Sequence, residues 1–503
     1  MRSKKALKNT VTSLLLKIVT IISGFIVPKL IISNFGSDIN GLINSITQFL
    51  LYISLLESGI GPVIKSKLYK PIANNDKHEI ENILYASDNF FKTIAKIFLL
   101  YIIILCFVFP ILFKNQFDSL FTISLIIIIS ISTLFEYFFG ITYSLFLQSE
   151  QLTYINSIYR IIVVVLNTIF IAILISFNSS ILTVKLISSI IFIARPLLIN
   201  LYVKKKFKIN LKNADKTYNL KNKWDGLSQH IASVIHSNTD VTLLTLFCDI
   251  KEVSVYAVHT LVTKGINNLA DALSVGIEGS FGDMIARNET DNLNKKFDIF
   301  EILYYFIITI IYSCTIVLIV PFVIVYSNGI TDVNYIRPVF ACLLVLSEYI
   351  WAIRLPYSTL VVAAGHFKET RKGAWVECIS NALISLCLVL KFGMIGVTIG
   401  TIVAMLIRTF EFVYHTNIFI LKRSFFCTLK KIFILIINTL IICFICRYLP
   451  YLENMNYLNW IINSIMTAVV STLCVSITYL LLYNNQIKEI ISLLKGIFKR
   501  KQA

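Results

Sequence analysis

Charged residues are scarce in this chain of 503 residues: they make up 15% of it, whereas apolar residues make up 56%. A water-soluble domain carries about 25% charged and about 45–50% apolar residues. No polar stretch in the sequence is long enough to fold as a separate water-soluble domain. The composition therefore indicates an integral membrane protein and excludes most large extramembrane enzymes.

Glycine, proline and ligand-binding patterns are also in short supply. The 18 glycines and 9 prolines are too few for a collagen-like or low-complexity protein. Most of the ten cysteines lie in apolar runs, and the C-x-x-C of Cys443 and Cys446 has no second pair or histidine cluster beside it. The sequence contains no Walker A motif, zinc-ligand spacing or nucleotide fingerprint. We therefore predict no disulfide framework, no metal and no cofactor.

Long apolar runs fill most of the chain instead. A transmembrane helix needs about 20 mostly apolar residues, and continuous rather than alternating hydrophobicity argues against strands. We predict an all-α integral membrane fold with about 14 transmembrane helices. The predicted spans are 11–33, 41–64, 93–113, 119–145, 154–176, 179–202, 226–248, 252–281, 300–326, 334–362, 374–390, 396–421, 429–447 and 457–483.

The basic residues follow one side of these spans. The termini, the loops that an even count places beside them and the adjoining span ends hold 32 lysines and arginines, and the opposite loops with their span ends hold 5. Cytoplasmic loops carry such an excess of positive charge, so both termini are predicted to be cytoplasmic. This distribution also explains the net charge of +18. The lysines would face anionic membrane lipid, and nucleic acid is not a predicted partner.

The two halves of the chain resemble each other. Glu57 to Ile64 and Glu278 to Ile285 share the pattern E-x-x-x-G-x-x-I at an offset of 221. Tyr143-Ser144 matches Tyr357-Ser358 at an offset of 214, and Arg195 matches Arg408 at 213. We therefore predict two pseudo-symmetric six-helix bundles and two additional helices. The predicted domains are 1–202, a basic cytoplasmic linker 203–225, 226–421, and 422–503 with its basic cytoplasmic tail.

Two segments carry a resemblance to a known family. The first is N-F-G-S-D-I-N-G-L, from Asn34 to Leu42, between the first two spans. The second is S-N-T-D-V-T-L-L-T-L-F, from Ser237 to Phe247, which continues into V-S-V-Y-A-V-H. With the division into six, six and two spans, the chain resembles the Wzx-type polysaccharide-repeat flippases. They belong to the multidrug/oligosaccharidyl-lipid/polysaccharide exporter (MOP) superfamily.

The resemblance implies a function and partners. It implies alternating access through a V-shaped cavity in the bacterial plasma membrane. The implied substrate is an undecaprenyl-pyrophosphate-linked oligosaccharide, flipped from the inner to the outer leaflet for surface polysaccharide (capsule) synthesis. The implied partners are membrane lipids, a proton or sodium gradient, and polysaccharide polymerase and glycosyltransferases. The implied activity is transport, so no enzymatic activity is predicted.

Several cations inside predicted spans are candidates for holding a pyrophosphate. Lys264 is near the middle of the eighth span, Lys17 lies in the first, and Arg354 lies in the tenth. Lysine and arginine donate charge-assisted hydrogen bonds to phosphate oxygens. An ionisable group in a span is costly unless it faces water, a partner or a ligand. We therefore predict that these three residues line the cavity, although Lys264 could instead pair with Asp271.

Carboxylates supply the other candidates. Coupling to an ion gradient needs a carboxylate that can change its protonation or bind an ion, and Asp240 and Asp271 are candidates. The matched residues Glu57 and Glu278 are candidates for a gate near the cytoplasmic mouth. Arg408 and Glu411, three residues apart on one helix face, are expected to pair with each other.

Three other functions remain open at this point. A drug/cation antiporter of the same superfamily would favour an acidic, aromatic pocket, and Lys264 and Arg354 speak against it. A polysaccharide polymerase or acyltransferase would need a sizeable outer loop or a His-Asp pair. A non-transporting scaffold is a third alternative, which the duplicated bundles with polar stripes disfavour.

Overall fold

The computed structural model describes residues 2–57, 59–211, 214–215, 218, 227–274, 277–452, 454, 456–484 and 486. The described chain is helical throughout and contains no strand. Its contacts divide it into two compact units, Met1–Ser254 and Val255–Ala503, which we name unit 1 and unit 2.

The described residues of unit 1 form eight α-helices and the first turn of a ninth. They are α1 (Arg2–Leu51), α2 (Ile60–Asn74), α3 (Lys77–Leu112), α4 (Ser119–Phe135), α5 (Ile141–Ser149), α6 (Thr153–Ser176), α7 (Ile181–Phe207), α8 (Leu227–Phe247) and the start of α9 (Ile250–Ser274). Side-chain caps begin three of them: Asp76, Asp118 and Ser180 each accept a hydrogen bond from the backbone N–H three residues later. Such caps satisfy backbone donors that a helix start leaves open.

Unit 2 contains the rest of α9 and six further helices. These are α10 (Glu278–Ala286), α11 (Thr290–Tyr326), α12 (Pro338–Ala363), α13 (Arg371–His415), α14 (Phe425–Cys446) and α15 (Tyr457–Leu482). A buried ionic network ties α14 to α11. Glu301 in α11 is fully buried and lies 2.8 Å from Arg423 and 2.7 Å from Lys431. Asp298, one turn earlier in α11, interacts with the same two cations.

Ten helices in the described part of the chain are long and apolar enough to cross a membrane. Two of them, Leu7–Leu56 and Arg371–Ile420, have 50 residues each and contain two predicted spans. Gly36 (φ 87°) and Gly393 (φ 53°) break these long helices where the sequence predicted loops. The two remaining predicted spans are the less apolar α8 and α9. The all-α, multi-pass membrane fold is thus confirmed.

A buried tyrosine beside a carboxylate recurs in both units. In unit 1, Tyr143 interacts electrostatically with Asp88. In unit 2, the Tyr357 hydroxyl donates a hydrogen bond to Glu301. The tyrosines match at the offset of 214 noted above, and the carboxylates match at 213. A shared pair on equivalent helices supports a duplicated fold.

The contacts place α8 in unit 1, whereas the sequence assigned it to the second six-helix bundle. The division into domains by span count stays a prediction. Eleven of the 23 residues of the predicted linker 203–225 lie outside the described residues. Where it is described, it contacts α3: Asn210 N–H donates to Glu81, and the Tyr218 hydroxyl donates to Glu79, both at 2.8 Å. Burial raises the pKa of Tyr218 to about 12, and the bond to Glu79 acts in the same direction.

Candidate functional site

The most accessible cation of the predicted set lies on α9. Lys264 is exposed and lies near the middle of α9, which the sequence predicts to be a membrane span. The carboxylate of Glu348 on α12 interacts electrostatically with it. One turn along α9, Asn267 Nδ2 donates a hydrogen bond of 2.6 Å to Glu348 Oε2. The sequence therefore places a cation and an amide on one helix face, and the fold adds an acid from a second helix.

Two stacked tyrosines support this group. The Tyr312 hydroxyl of α11 donates to Asn267 Oδ1 at 2.7 Å. The rings of Tyr312 and Tyr349 stack with centroids 4.7 Å apart and planes 6° apart. The Tyr349 hydroxyl lies 3.2 Å from the hydroxyl of Thr439. We name Lys264, Asn267, Glu348 and Tyr312 the α9–α12 site. Because the aromatic pair is buried, it holds Asn267, and through it Glu348, in a fixed position.

Arg354 belongs to a separate ionic network. Its side chain is 12% exposed and lies 2.5 Å from Glu377 on α13. Arg408, with a side chain 4% exposed, lies 3.6 Å from the other oxygen of Glu377 and also pairs with Glu411. The predicted Arg408–Glu411 pair is therefore confirmed. Arg354, predicted as a pyrophosphate ligand, already has a carboxylate partner in this state.

The candidates in unit 1 lie on other helices. Lys17 is half-buried on α1, and Asp240 is buried on α8. Glu57 follows a 3-10 turn at the end of α1, just before the left-handed Gly59 (φ 71°) that precedes α2. It accepts a hydrogen bond from the Tyr137 hydroxyl. Glu136, next to Tyr137 in the sequence, forms an ion pair with Arg195 at 3.2 Å.

The remaining candidates lie near the end of α9. Asp271 is half-buried and interacts electrostatically with Tyr304. Glu278 is exposed in the first turn of α10. Glu57 and Glu278 thus both stand at a break between a long helix and a short one. Together, unit 2 holds Lys264, Asp271, Arg354 and Glu278, and unit 1 holds Lys17, Glu57 and Asp240.

A polar ladder connects the second half of α1 with α8 and the start of α9, all within unit 1. Gly41 permits the close approach, because a Cβ there would lie 2.1 Å from the Ile250 carbonyl oxygen. The ladder consists of Asp38–Lys251 at 3.5 Å, Asn40–Ser254 at 2.7 Å, Ser45–Thr245 at 2.8 Å, Tyr52–Thr242 at 2.8 Å and the hydrogen bond from Gln48 to Asn238. The side chains of the Asn40–Ser254 and Ser45–Thr245 pairs are short, so these two contacts depend on the helices staying close.

Sequence reasoning missed Glu348, Glu377 and Tyr312 as functional residues. Glu348 lies 81 positions from Asn267, and no spacing rule relates them. An acid within a span is energetically costly unless it has a partner, and Lys264 is a cation in the same half of the chain. This cost is the signal that could have identified Glu348.

No family model matches the sequence, and no curated protein matches it either. Solved structures do match its fold. The "Lipid II flippase MurJ, inward closed conformation" has a TM-score of 0.71 and 16% identity, covering 95% of this chain and 99% of that one.

Two transporters match over most of their length. An inward-facing multidrug resistance MATE family transporter of the MOP superfamily has a TM-score of 0.61 at 12% identity, covering 81% of this chain and 98% of that one. The eukaryotic MATE transporter AtDTX14 has a TM-score of 0.56 at 12% identity, covering 86% and 98%. The chain therefore shares its fold with these flippase and transporter structures.

Proposed function

We propose that the chain is a flippase of the bacterial plasma membrane for an undecaprenyl-pyrophosphate-linked oligosaccharide. It moves this lipid-linked repeat unit from the inner to the outer leaflet by alternating access, for the synthesis of a surface polysaccharide. The observation that carries the proposal is Lys264, an exposed cation on a polar face of α9, which the sequence predicts to be a membrane span. The fold supports it, because one protein that shares this fold is a lipid II flippase.

The cations would bind the pyrophosphate. Lys264 is exposed, so it makes the main contact in this proposal. Lys17 supplies a second cation from α1. Arg354 contributes only if Glu377 releases it or shares it, because the two are paired here. A pyrophosphate is well matched to this set, since lysine offers a point charge and arginine a planar fork.

Other residues would couple and gate the movement. We propose Asp240 and Asp271 as the carboxylates that respond to a proton or sodium gradient. Glu57 and Glu278 gate the cytoplasmic mouth, each at a helix break that can bend. The polar ladder closes the outer side, because the predicted loops at 34–40 and 249–251 are external. Both termini are cytoplasmic. Glycosyltransferases act before this step, and a polysaccharide polymerase acts after it.

A drug/cation antiporter is the second candidate. The observation that favours it is the fold match to multidrug transporters, together with Glu348 beside the stacked tyrosines Tyr312 and Tyr349. A cationic drug would be repelled by Lys264, which speaks for the lipid-linked anion.

Export in cells tests the proposed function. The chain is expressed in a strain that lacks its own repeat-unit flippase, and surface polysaccharide and lipid-linked repeat units are measured. We expect restored polysaccharide and no accumulation on the inner leaflet. Resistance to cationic drugs without restored polysaccharide would favour the antiporter.

A further inference from the structure

The charges of the α9–α12 site are unevenly matched. Arg354 and Arg408 both have a carboxylate oxygen of Glu377 within 4 Å. Lys264 remains exposed and lies one turn of α9 from Asn267, whose side chain donates a hydrogen bond of 2.6 Å to Glu348 on α12. A cation in a membrane span is costly without such compensation. Glu348 therefore neutralises Lys264 when no ligand is bound.

Glu348 is held in place by groups other than Lys264. Asn267 on α9 donates to it, and Tyr312 on α11 fixes Asn267 from behind. Arg354 on its own helix also interacts with it electrostatically, and Arg354 is tied in turn to Glu377 on α13. These contacts keep the carboxylate fixed while the flexible lysine side chain can turn away.

We infer that Glu348 is an internal counter-ion that occupies Lys264 in the empty transporter and that the anionic group of the substrate displaces it. The inference rests on the proposed function and names the acid that competes with the pyrophosphate. In the loaded transporter Lys264 pairs with the phosphate, and Glu348 keeps Asn267 and the nearby Arg354. Lys264 is thus paired with an anion in both states: with Glu348 in the empty transporter and with the phosphate in the loaded one.

This competition has a measurable consequence. Removing the carboxylate frees Lys264, so the anion binds more tightly. Without Glu348, however, the empty transporter must return with an uncompensated cation. Glu348→Gln should therefore raise affinity and lower turnover, a combination that loss of structure does not produce. A cationic ligand would show the reverse, because it would compete with Lys264 for Glu348.

Binding to the purified full chain in lipid nanodiscs tests the inference, with farnesyl pyrophosphate as the anionic probe and tetraphenylphosphonium as the cationic one. We expect Glu348→Gln to bind farnesyl pyrophosphate about tenfold more tightly than the wild type, a typical size for coupling between two sites. Lys264→Ala should lose this binding, and the Lys264→Ala/Glu348→Gln double variant should not regain it. Asp283→Asn, which removes an exposed carboxylate on α10, is the matched control and should bind like the wild type.

The outcomes separate the two ideas. If the wild type clearly binds farnesyl pyrophosphate and Glu348→Gln binds it equally or more weakly, Glu348 is not a counter-ion of Lys264. That result would not contradict the proposed flippase function. If the wild type and Glu348→Gln both ignore the pyrophosphate and Lys264→Ala binds tetraphenylphosphonium more tightly, the proposed function itself falls. Thermal melting of each variant shows that it is folded, and Glu348→Asp provides a second variant that keeps the charge.

Discussion

At the scale of single residues, the cations of unit 2 differ in how deeply they are buried. Arg408 has a side chain 4% exposed and shares Glu377 and Glu411, and it also donates to the Thr370 carbonyl at 2.7 Å. Removing one partner of a buried ionic group leaves the others without compensation. Arg408 is therefore structural, whereas the exposed Lys264 is available to a ligand.

Arg408→Met should destabilise the protein. It leaves Glu377 and Glu411 with fewer donors, so the loss should be about 3–5 kcal/mol, the usual cost of breaking a buried pair. Thermal unfolding in detergent measures it. Arg287→Met is the control, because Arg287 is exposed and forms an i,i+4 pair with Asp283; such pairs are worth about 0.3–0.5 kcal/mol. Equal losses in the two variants would contradict the buried network.

The residues also show where sequence reasoning stops. The Arg408–Glu411 pair was predictable, because three positions on a helix bring side chains together. The spacing of Lys264 and Asp271 suggested a pair in the same way, but Asp271 interacts with Tyr304 and Lys264 with Glu348. Partners on other helices depend on how the helices pack, and the periodicity of a single helix gives no information about that packing.

At the scale of helices, the breaks were easier to predict than the contacts. The loss of apolar pattern near Gly36 and Gly393 located both kinks. The ionic contact between α14 and α11 was not predicted, because Glu301 and Lys431 are 130 residues apart in the sequence. The placement of α8 beside the second half of α1 was also missed, because it follows from matching small and polar side chains.

Glu301→Gln should loosen α14. Glu301 is fully buried between Arg423 and Lys431, and its loss leaves Asp298 as the remaining carboxylate for both cations. We expect lower thermal stability and faster proteolysis near residues 421–425. Unchanged proteolysis relative to Asp283→Asn would show that the network does not anchor α14.

The polar ladder should open during transport. In a background without the native cysteines, Ser45→Cys/Thr245→Cys places two thiols where hydroxyls are 2.8 Å apart. Oxidative cross-linking should stop export, and a reducing agent should restore it. Ser87→Cys/Thr142→Cys, at a contact of 3.3 Å between α3 and α5, is the matched control and should leave export unchanged. Full export by the cross-linked ladder would mean that these helices need not separate.

At the scale of the whole molecule, the charge of the loops predicts how the chain is oriented in the membrane. The proposed orientation puts Lys205, at the end of α7, in the cytoplasm and Asn454, between α14 and α15, outside. In the same cysteine-free background, an impermeant maleimide added to intact cells should label Asn454→Cys but not Lys205→Cys. Labelling of Lys205→Cys from outside would reverse the map.

The general fold could be predicted from composition and apolar runs because a membrane demands long helices. Composition does not identify the substrate, since a lipid II flippase and a multidrug resistance transporter both match this fold. The difference rests on a few charges, above all the exposed Lys264.

Translocation in proteoliposomes tests the central claim most directly. A fluorescent undecaprenyl-pyrophosphate-linked oligosaccharide is placed in vesicles that contain the purified chain, and its transfer between leaflets is followed with an impermeant quencher. We predict transfer by the wild type, partial transfer by Lys264→Arg, which keeps the charge but changes its geometry, and none by a folded Lys264→Ala. Wild-type transfer by Lys264→Ala would contradict the role of this cation, and no transfer by the wild type itself would contradict the account.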